Sequence, residues 1–416
     1  MKKRIMSVFI VLALVVTFCA SCGDGSGDGP KLVYWSMWGE AEPQGQVISE
    51  AAEAFEDMTG IAVEITFTAR DSRKTLEPAL ASGEVVDIFD EDVDRVMKNW
   101  GSYLLNLDDY VNGVYEDTDG QPYRSLINGT LMDLVEDYGN GSVYQIPYQP
   151  FLFAVMYNKD LFAQAGVTTT PKTWDEFLDV CAQLKAAGIT PITVDDAYMG
   201  CLFGYTLDRI VGSEKVAEMV ANLDFSDPGV LRACEIWEEM VKKGYISVNA
   251  ATNVWPAGQN EEFAQNSVAM YLNGTWLPNE IKAMTEEFNW GTFAWPAIDA
   301  AGDGIEANNF AAQCFAINKD TKYPDEAFAF IRFLTLGEYD QKLANESIGV
   351  PVANDAVWPE QLADAKVVLD NSSKRLDWAV GMEDVPELNA AIKDGLAKLI
   401  LGEYDAQQFA DSLAAL

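Results

Sequence analysis

An alternation of strand and helix patterns near the start of the chain constrains the fold most. The pattern predicts five elements: strand Lys31–Trp35, a helix with apolar residues from Val47 to Met58, strand Ile61–Phe67, a helix through Leu76 and Leu80, and strand Val85–Phe89. Gly60 and Gly83 stand where the two helices should end. Strands joined by helices require right-handed crossovers, so a largely parallel sheet is expected.

The same alternation returns in the second half of the chain. It predicts strand Phe151–Tyr157, a helix that begins with the capping box Thr173-Trp174-Asp175-Glu176, strand Ile189–Val194, and the later helices Asp325–Leu336 and Leu388–Leu401. At roughly 100–200 residues per domain, 416 residues correspond to two or three domains. The expected class is therefore α/β, with at least two units.

The N-terminus has the order of a secretory signal peptide. Lys2, Lys3 and Arg4 precede an apolar run from Val8 to Val16, and small residues lead to Cys22. We predict a signal peptide at residues 1–21. An uncleaved membrane anchor is the alternative, because the uncharged stretch from Ile5 approaches the ~20 residues that span a bilayer. Either reading puts the bulk of the protein outside the cell.

Ala20-Ser21-Cys22 resembles the end of a bacterial lipobox, whose cysteine receives lipid, although Cys19 stands where that motif usually has leucine. This resemblance implies lipidation at Cys22. The glycine- and aspartate-rich residues that follow predict a flexible tether over 22–30.

Composition excludes several kinds of function. The chain has 28 Lys and Arg against 65 Asp and Glu, a net charge of −37, which disfavours nucleic acid as a partner. It has no histidine, so catalytic triads with histidine and His-ligated zinc are excluded. Hydrolysis by paired carboxylates remains open.

No metal site or cofactor is predicted. Cys181, Cys201, Cys234 and Cys314 form no C-x-x-C pair, and a disulfide between two of them is an open possibility. Asp90, Asp92 and Asp94 imitate the start of an EF-hand loop. Arg95 at position six and Gly101 at position twelve argue against calcium.

Several segments, in this order, resemble the bacterial ABC-transporter extracellular solute-binding proteins of family 1, the sugar-binding group that includes maltose-binding protein. They cover nearly the whole chain after the tether: Lys31–Trp35, Phe55–Val63, Leu80–Ile88, Tyr157–Phe162 with Thr173–Phe177, Ala269–Trp276 and Ala316–Lys319.

The resemblance implies a two-lobed periplasmic-binding-protein-like fold of type II, each lobe a mainly parallel sheet flanked by helices, with the ligand cleft between them. The N-terminal lobe would comprise 31–149 and 311–349, and the C-terminal lobe 150–310 and 350–416. It further implies a monomer at the outer face of the cell membrane or in the periplasm, which passes a sugar to ABC permease subunits.

A sugar site combines aromatic rings, which cover the C–H faces of the sugar, with carboxylates and amides, which bind its hydroxyls. Such residues follow the predicted strands, where open α/β sheets place ligands. In the first lobe we predict ligand contacts from Trp38, Glu40, Asp90, Glu91, Tyr148 and Gln149. A solvated loop is the alternative for the acidic cluster at Asp90, and Trp35 is expected in the core.

In the second lobe, the resemblance assigns ligand contacts to Asp196 and Tyr198, and a stacking platform to Trp276, where Gly274 lets backbone approach closely. Asn308 is a further predicted contact. Trp255, Trp295 and Trp378 are secondary candidates.

Two functions compete with a transport-linked sugar receptor. A carbohydrate-active enzyme would need one carboxylic acid with a raised pKa in an apolar pocket, and the cluster at Asp90 is too polar for that. A sensor that presents its ligand to a membrane receptor kinase would look the same in sequence.

Overall fold

The computed structural model describes residues 29–285 and 288–416. The predicted signal peptide, Cys22 and most of the tether lie outside the described residues. Within them, the strands are β1 (Lys31–Ser36), β2 (Ala62–Phe67), β3 (Ile88–Asp92), β4 (Ile146–Asn158), β5 (Thr190–Thr193), β6 (Val268–Gly274), β7 (Trp290–Phe293), β8 (Ala307–Ile317) and β9 (Lys374–Arg375).

Helices of the described residues pack against these strands. They are α1 (Pro43–Thr59), α2 (Ser72–Ser82), α3 (Val93–Trp100), α4 (Asp108–Asn112), α5 (Gly129–Tyr138), α6 (Lys159–Gln164), α7 (Trp174–Ala186), α8 (Met199–Val211), α9 (Ser213–Asn222), α10 (Pro228–Lys242), α11 (Gly258–Ala264), α12 (Leu277–Ile281), α13 (Pro324–Thr335), α14 (Gly337–Ser347), α15 (Ala363–Asp370), α16 (Pro386–Ile400) and α17 (Ala406–Ala414).

The strands are ordered β2-β1-β3-β8-β4-β6-β5, with β7 on β4 and β9 on β8. Pairing is parallel between β1 and both β2 and β3, between β5 and β6, and between β8 and β9. It is antiparallel where β4 pairs with β6, β7 or β8, and where β8 pairs with β3. The expected α/β class holds, but the sheet is mixed rather than mainly parallel. The two long strands β4 and β8 pass between the halves of the molecule; β4 is antiparallel to all its partners, and β8 is antiparallel to β3 and β4.

The described residues form three hydrophobic clusters. The two larger ones, here called the first and second core, lie on either side of this passage, and the third contains Phe89 of β3 and Trp100 of α3. Along β4, Tyr148 packs in the first core and Leu152 in the second. Along β8, Phe310 packs in the second core and Ala311 in the first. Each lobe therefore has its own core, and β4 and β8 join the two. The exact lobe boundaries stay a prediction.

The local predictions at the helix ends hold, and two other predictions need correction. Gly60 ends α1 at φ 74°, and Thr173 and Glu176 form the capping box of α7. Met58, however, is 64% exposed and does not belong to the apolar face of α1. The third strand is Ile88–Asp92 rather than Val85–Phe89, so the acidic cluster lies within the strand and not in a loop after it.

The four cysteines of the described residues are buried free thiols, so the possible disulfide between two of them does not form. Burial raises the pKa of each thiol. In the described part of the chain, no helix has the length and apolar character needed to cross a membrane.

Candidate ligand-binding cleft

A cleft of about 560 Å³ opens between the two lobes where β4 and β8 pass from one to the other. Its lining combines aromatic, charged and amide side chains: Asp92, Asp94, Arg95, Lys98 and Tyr138 from β3, α3 and α5; Phe151, Asn309, Ala311 and Gln313 from the crossing strands; and Trp276, Arg375, Asp377, Trp378, Glu383 and Asp384 from the second lobe.

Trp276, directly after β6, forms one aromatic wall of the cleft. The ring is half-buried and meets Phe151 edge-on at 5.5 Å between centroids. A Cβ on Gly274 would lie 2.2 Å from the Trp276 ring, so only glycine leaves room for the ring at this position. Gly274 was expected to let backbone approach the ligand closely. In the structure the group that lies close to Gly274 is the Trp276 ring.

Trp378 extends this wall. Its centroid lies 6.3 Å from that of Trp276, and its indole N–H donates to Glu383 at 2.9 Å. The ring is half-buried. Burial raises the pKa of Glu383, and the second oxygen of its carboxyl group has no hydrogen-bond partner. Two indole rings and a carboxyl group therefore lie together at one side of the cleft.

The opposite side, from the first lobe, is charged. Arg95 lies 3.8 Å from Asp92, and Lys98 lies 3.6 Å from Asp94. The Gln313 amide donates to Asp92 at 2.8 Å, which leaves the Gln313 carbonyl oxygen without a partner.

Arg375 reaches across the cleft. Its guanidinium lies 5.4 Å from the ring centroid of Tyr138, which belongs to the first lobe. Its Nε donates to the Phe310 carbonyl at 3.0 Å, and its Nη1 donates to Asp377 at 2.9 Å. Burial raises the pKa of Tyr138 to about 12. This contact joins the lobes through side chains alone.

Three predicted residues of the first lobe lie in its core instead of lining the cleft. The Trp38 indole N–H donates to the Tyr148 hydroxyl at 2.8 Å, and that hydroxyl donates to Asp90. Asp90 also accepts from the Met37 N–H at 2.9 Å, and burial raises its pKa to about 7. The three side chains satisfy one another, because each supplies the donor or acceptor that its neighbour needs.

The other predicted residues of the first lobe also lie outside the cleft lining. Glu91 is fully buried and is paired with Arg73 at 2.6 Å. Glu40 is exposed. Gln149, at φ 42° on the bulge of β4, accepts from the Ser347 hydroxyl at 3.1 Å.

In the second lobe, Tyr198 is buried behind the aromatic wall, 6.4 Å from the centroid of Trp276 and 6.0 Å from that of Trp378. Asp196 accepts from the backbone N–H of Trp255 at 2.8 Å. Asn308 is buried and donates to the Ile305 carbonyl at 2.9 Å, whereas its neighbour Asn309 lines the cleft.

Of the secondary candidates, Trp378 lines the cleft, Trp255 is 45% exposed, and Trp295 is buried. Trp295 stacks on Trp237 at 6.1 Å, so its packing is that of a core residue. Sequence reasoning missed the cleft residues Tyr138, Arg375 and Gln313, which no motif or pattern marks.

Comparison with known proteins decides the family. The model of the bacterial extracellular solute-binding protein family matches residues 39–340. The chain belongs to this family. This solute-binding protein is therefore a binding protein and not an enzyme, and the resemblance seen in its sequence is confirmed.

Among relatives, the multiple sugar-binding protein of Streptococcus mutans is 28% identical over 298 residues, which are 68% of this chain and 66% of that protein. A putative binding protein of Brucella abortus is 25% identical over 255 residues, 59% of this chain and 57% of its own length. The solute-binding protein thus spans less than two thirds of either relative.

Solved structures show the fold. The ligand-free form of RafE from Streptococcus pneumoniae superposes with a TM-score of 0.74 at 20% identity, and the match covers 94% of this chain and 98% of RafE. RafE in complex with raffinose gives a TM-score of 0.68 at 20% identity, covering 93% and 98%. The predicted two-lobed α/β fold is confirmed.

Proposed function

We propose that this solute-binding protein captures a neutral mono- or oligosaccharide outside the cell and delivers it to the permease subunits of an ABC importer. The observation that carries the proposal is the pair of half-buried indoles, Trp276 and Trp378, in the wall of a cleft between two lobes. Indole faces cover the C–H faces of sugar rings and bury apolar area there.

The polar groups of the cleft fit hydroxyl donors. Oxygen atoms of Asn309, Gln313 and Glu383 are buried without a hydrogen-bond partner. An unpaired buried acceptor costs about 1–3 kcal/mol, and a ligand hydroxyl that donates to it removes that cost. A sugar carries several such hydroxyls on one rigid ring.

Charge favours a neutral ligand over an anionic one. The cleft lining has five acids (Asp92, Asp94, Asp377, Glu383 and Asp384) and three bases (Arg95, Lys98 and Arg375). The three bases already lie near acids of the same lining. A phosphorylated or uronic sugar would therefore meet net negative charge without a free cation.

The names of relatives support this class of ligand. The Streptococcus mutans relative is named a multiple sugar-binding protein, and the neighbouring RafE structure contains raffinose. The predicted contacts at Trp38, Glu40, Asp90, Glu91, Tyr148, Gln149, Asp196, Tyr198 and Asn308 stay predictions. The cleft lining favours Trp276, Trp378, Asn309 and Gln313 as the residues to test first.

A screen of neutral oligosaccharides by thermal shift, followed by calorimetry on the best ligand, tests the function. Trp276→Ala should weaken binding by about 2 kcal/mol or more, the range of aromatic anchors in buried sites. If no neutral sugar raises the melting temperature while an anionic sugar does, the proposed ligand class is wrong.

We also propose that Cys22 carries lipid, and that the monomeric protein is held at the outer face of the membrane by this anchor and a short tether. The basis is Ala20-Ser21-Cys22 after an apolar run. Wild-type protein from cells should partition into detergent, and Cys22→Ala should stay unprocessed or appear in the medium. A cleaved wild-type protein with a free N-terminus would refute the anchor.

A further inference from the structure

The segment that carries Trp378 and Glu383 into the cleft wall contains three successive residues in the left-handed region of backbone conformation. They are Ala379 (φ 48°, ψ 24°), Val380 (φ 52°, ψ 37°) and Gly381 (φ 82°, ψ −4°). Glycine adopts this region freely, whereas alanine and, above all, a β-branched valine adopt it only at a cost in free energy. Such a turn persists where surrounding contacts hold it, and strained turns of this kind cluster at ligand sites.

Helix α8 supplies contacts that hold this left-handed turn. Gly200 and Gly204 stand four residues apart, so they lie on one face of α8. A Cβ on Gly204 would lie 2.5 Å from the carbonyl oxygen of Ala379 and 2.9 Å from its carbonyl carbon, so the backbone of the turn lies directly on the helix. A Cβ on Gly200 would lie 2.8 Å from Oε1 of Glu383. Both glycines are buried, and neither lines the cleft.

The two ends of the turn are joined by side chains of the cleft wall. Trp378 precedes Ala379, and its indole N–H donates to Glu383 at 2.9 Å. The Trp378 ring meets Phe153 of β4 at 4.9 Å between centroids and an angle of 61° between ring planes. Ala379 itself is 0% exposed. A shift of the backbone at Ala379 would therefore move an indole and a carboxyl group of the cleft wall together.

We propose that Gly200 and Gly204 are positioning residues for ligand binding. Without touching the ligand they hold the left-handed turn, and the turn holds Trp378 and Glu383 in the cleft wall. The inference rests on the proposed function and deepens it, since it makes the affinity of the cleft depend on a helix outside its lining. An added side chain at Gly204 displaces backbone, whereas one at Gly200 displaces the end of a flexible side chain, so the effect at Gly204 should be the larger.

A double-mutant cycle measured by calorimetry tests the positioning role, with raffinose or, where raffinose does not bind, the sugar that the neutral screen selects. Trp378→Ala should reduce affinity about tenfold or more, and Gly204→Ala nearly as much. Because Gly204 acts through the indole, the double variant should bind within about twofold of the weaker single variant. Gly395→Ala is the matched control, since its Cβ would meet the Phe409 ring at 2.2 Å in a buried helix of the same lobe, away from the cleft lining. It should lose stability and keep its affinity.

The outcomes separate the positioning role from the function. If sugar binds but Gly204→Ala keeps its affinity, or if the two losses multiply in the double variant, the positioning role is refuted and the proposed function stands. If Gly204→Ala does not fold, as thermal unfolding would show, Gly200→Ala replaces it in a cycle with Glu383→Ala. The loss caused by Gly200→Ala, about threefold, should then vanish once the carboxyl group is removed, and a loss that persists refutes the proposal. If no sugar binds the wild type, the proposed function fails together with the positioning role.

Discussion

At the residue scale, the position of the Trp276 ring depends on the absence of a side chain at Gly274. A Cβ on Gly274 would meet three atoms of the Trp276 ring at 2.2 to 2.4 Å. Such distances cannot be accommodated without movement of the ring or of the strand end, because packed interiors leave no space for an added methyl group. The glycine thus holds the indole in the wall of the cleft.

Gly274→Ala should therefore weaken sugar binding nearly as much as loss of the indole, by about 1–3 kcal/mol, through displacement of the Trp276 ring. Calorimetry with the best sugar of the screen measures the loss. Gly291→Ala is the matched control, because its Cβ would meet the Tyr157 ring at the same 2.2 Å, on a residue that does not line the cleft. Both variants should be less stable, but only Gly274→Ala should lose affinity. Equal affinities in the two variants would show that Trp276 does not contact the sugar.

The sequence could reveal Trp276 because the segment Ala269–Trp276 resembles the family, in which a tryptophan at this position forms a stacking platform. It favoured Trp38 over Trp378, whereas the structure buries Trp38 and places Trp378 in the cleft lining. The difference depends on a long-range partner. The indole N–H of Trp38 donates to the hydroxyl of Tyr148, 110 positions away, and this bond lies in the core. Such a pairing has no local signature, so it could not be predicted.

At the element scale, a shift of one strand by three residues changed which acid stands at its end. With β3 at Ile88–Asp92, the last acid is Asp92, which lines the cleft, while Asp90 and Glu91 are buried within the strand. The rule that ligands bind beyond strand ends would have selected Asp92 if the strand had been placed correctly. Burial of acids within a strand could not be predicted from the local pattern. The groups that make it possible are distant in sequence: Arg73 donates to Glu91, and Tyr148 donates to Asp90.

Helix ends, by contrast, could be read from local sequence. The capping box at Thr173 and the left-handed glycines at Gly60 and Gly83 depend on contacts within a few residues, and all three are present. The antiparallel direction of β4 and β8 depends on where the chain crosses between lobes. The positions of these crossings are a property of the whole chain, so the direction of β4 and β8 could not be predicted from the pattern of each strand.

At the scale of the whole molecule, buried acids and net charge both lower the stability of the folded protein as pH rises. Burial raises the pKa of Asp90, Asp208 and Glu280 to about 7, and that of Asp195 and Asp340 to about 6. Unfolded carboxyl groups titrate near pH 4. Between about pH 4 and 7 the folded protein therefore binds more protons than the unfolded chain, and its stability falls as pH rises. The net charge of −37 adds repulsion that grows over the same range.

We therefore predict that the ligand-free protein unfolds at higher urea concentration at pH 5.5 than at pH 8, at constant ionic strength. Asp303, whose pKa is lowered, titrates below this window and does not offset the effect. Asp90→Asn should reduce the difference between the two pH values, because it removes one of the groups that titrate with a raised pKa. Greater stability at pH 8, or a variant with an unchanged difference, would contradict this account.

The last prediction concerns motion of the lobes. Closure about a hinge is established for periplasmic binding proteins in general, so the family supplies the expectation, and we propose it for this protein. The cleft supplies a physical reason: Trp276 and Trp378 belong to one lobe, whereas Asp92 and Arg95 belong to the other. A ligand that touches both binds the closed form better, and only this difference in affinity can shift the equilibrium. A shift from 1:99 to 99:1 requires about 5.5 kcal/mol.

Small-angle scattering should show a smaller radius of gyration with the bound sugar than without it. Arg375→Gln, which removes the contact with Tyr138 across the cleft, should favour the open form and weaken sugar binding. Arg332→Gln is the matched control, because Arg332 lies 3.7 Å over the Tyr115 ring within one lobe. It should leave both the radius and the affinity unchanged. If the radius stays constant at saturating sugar while calorimetry proves binding, the ligand does not close the lobes, and the contact at Arg375 only stabilises a fixed arrangement.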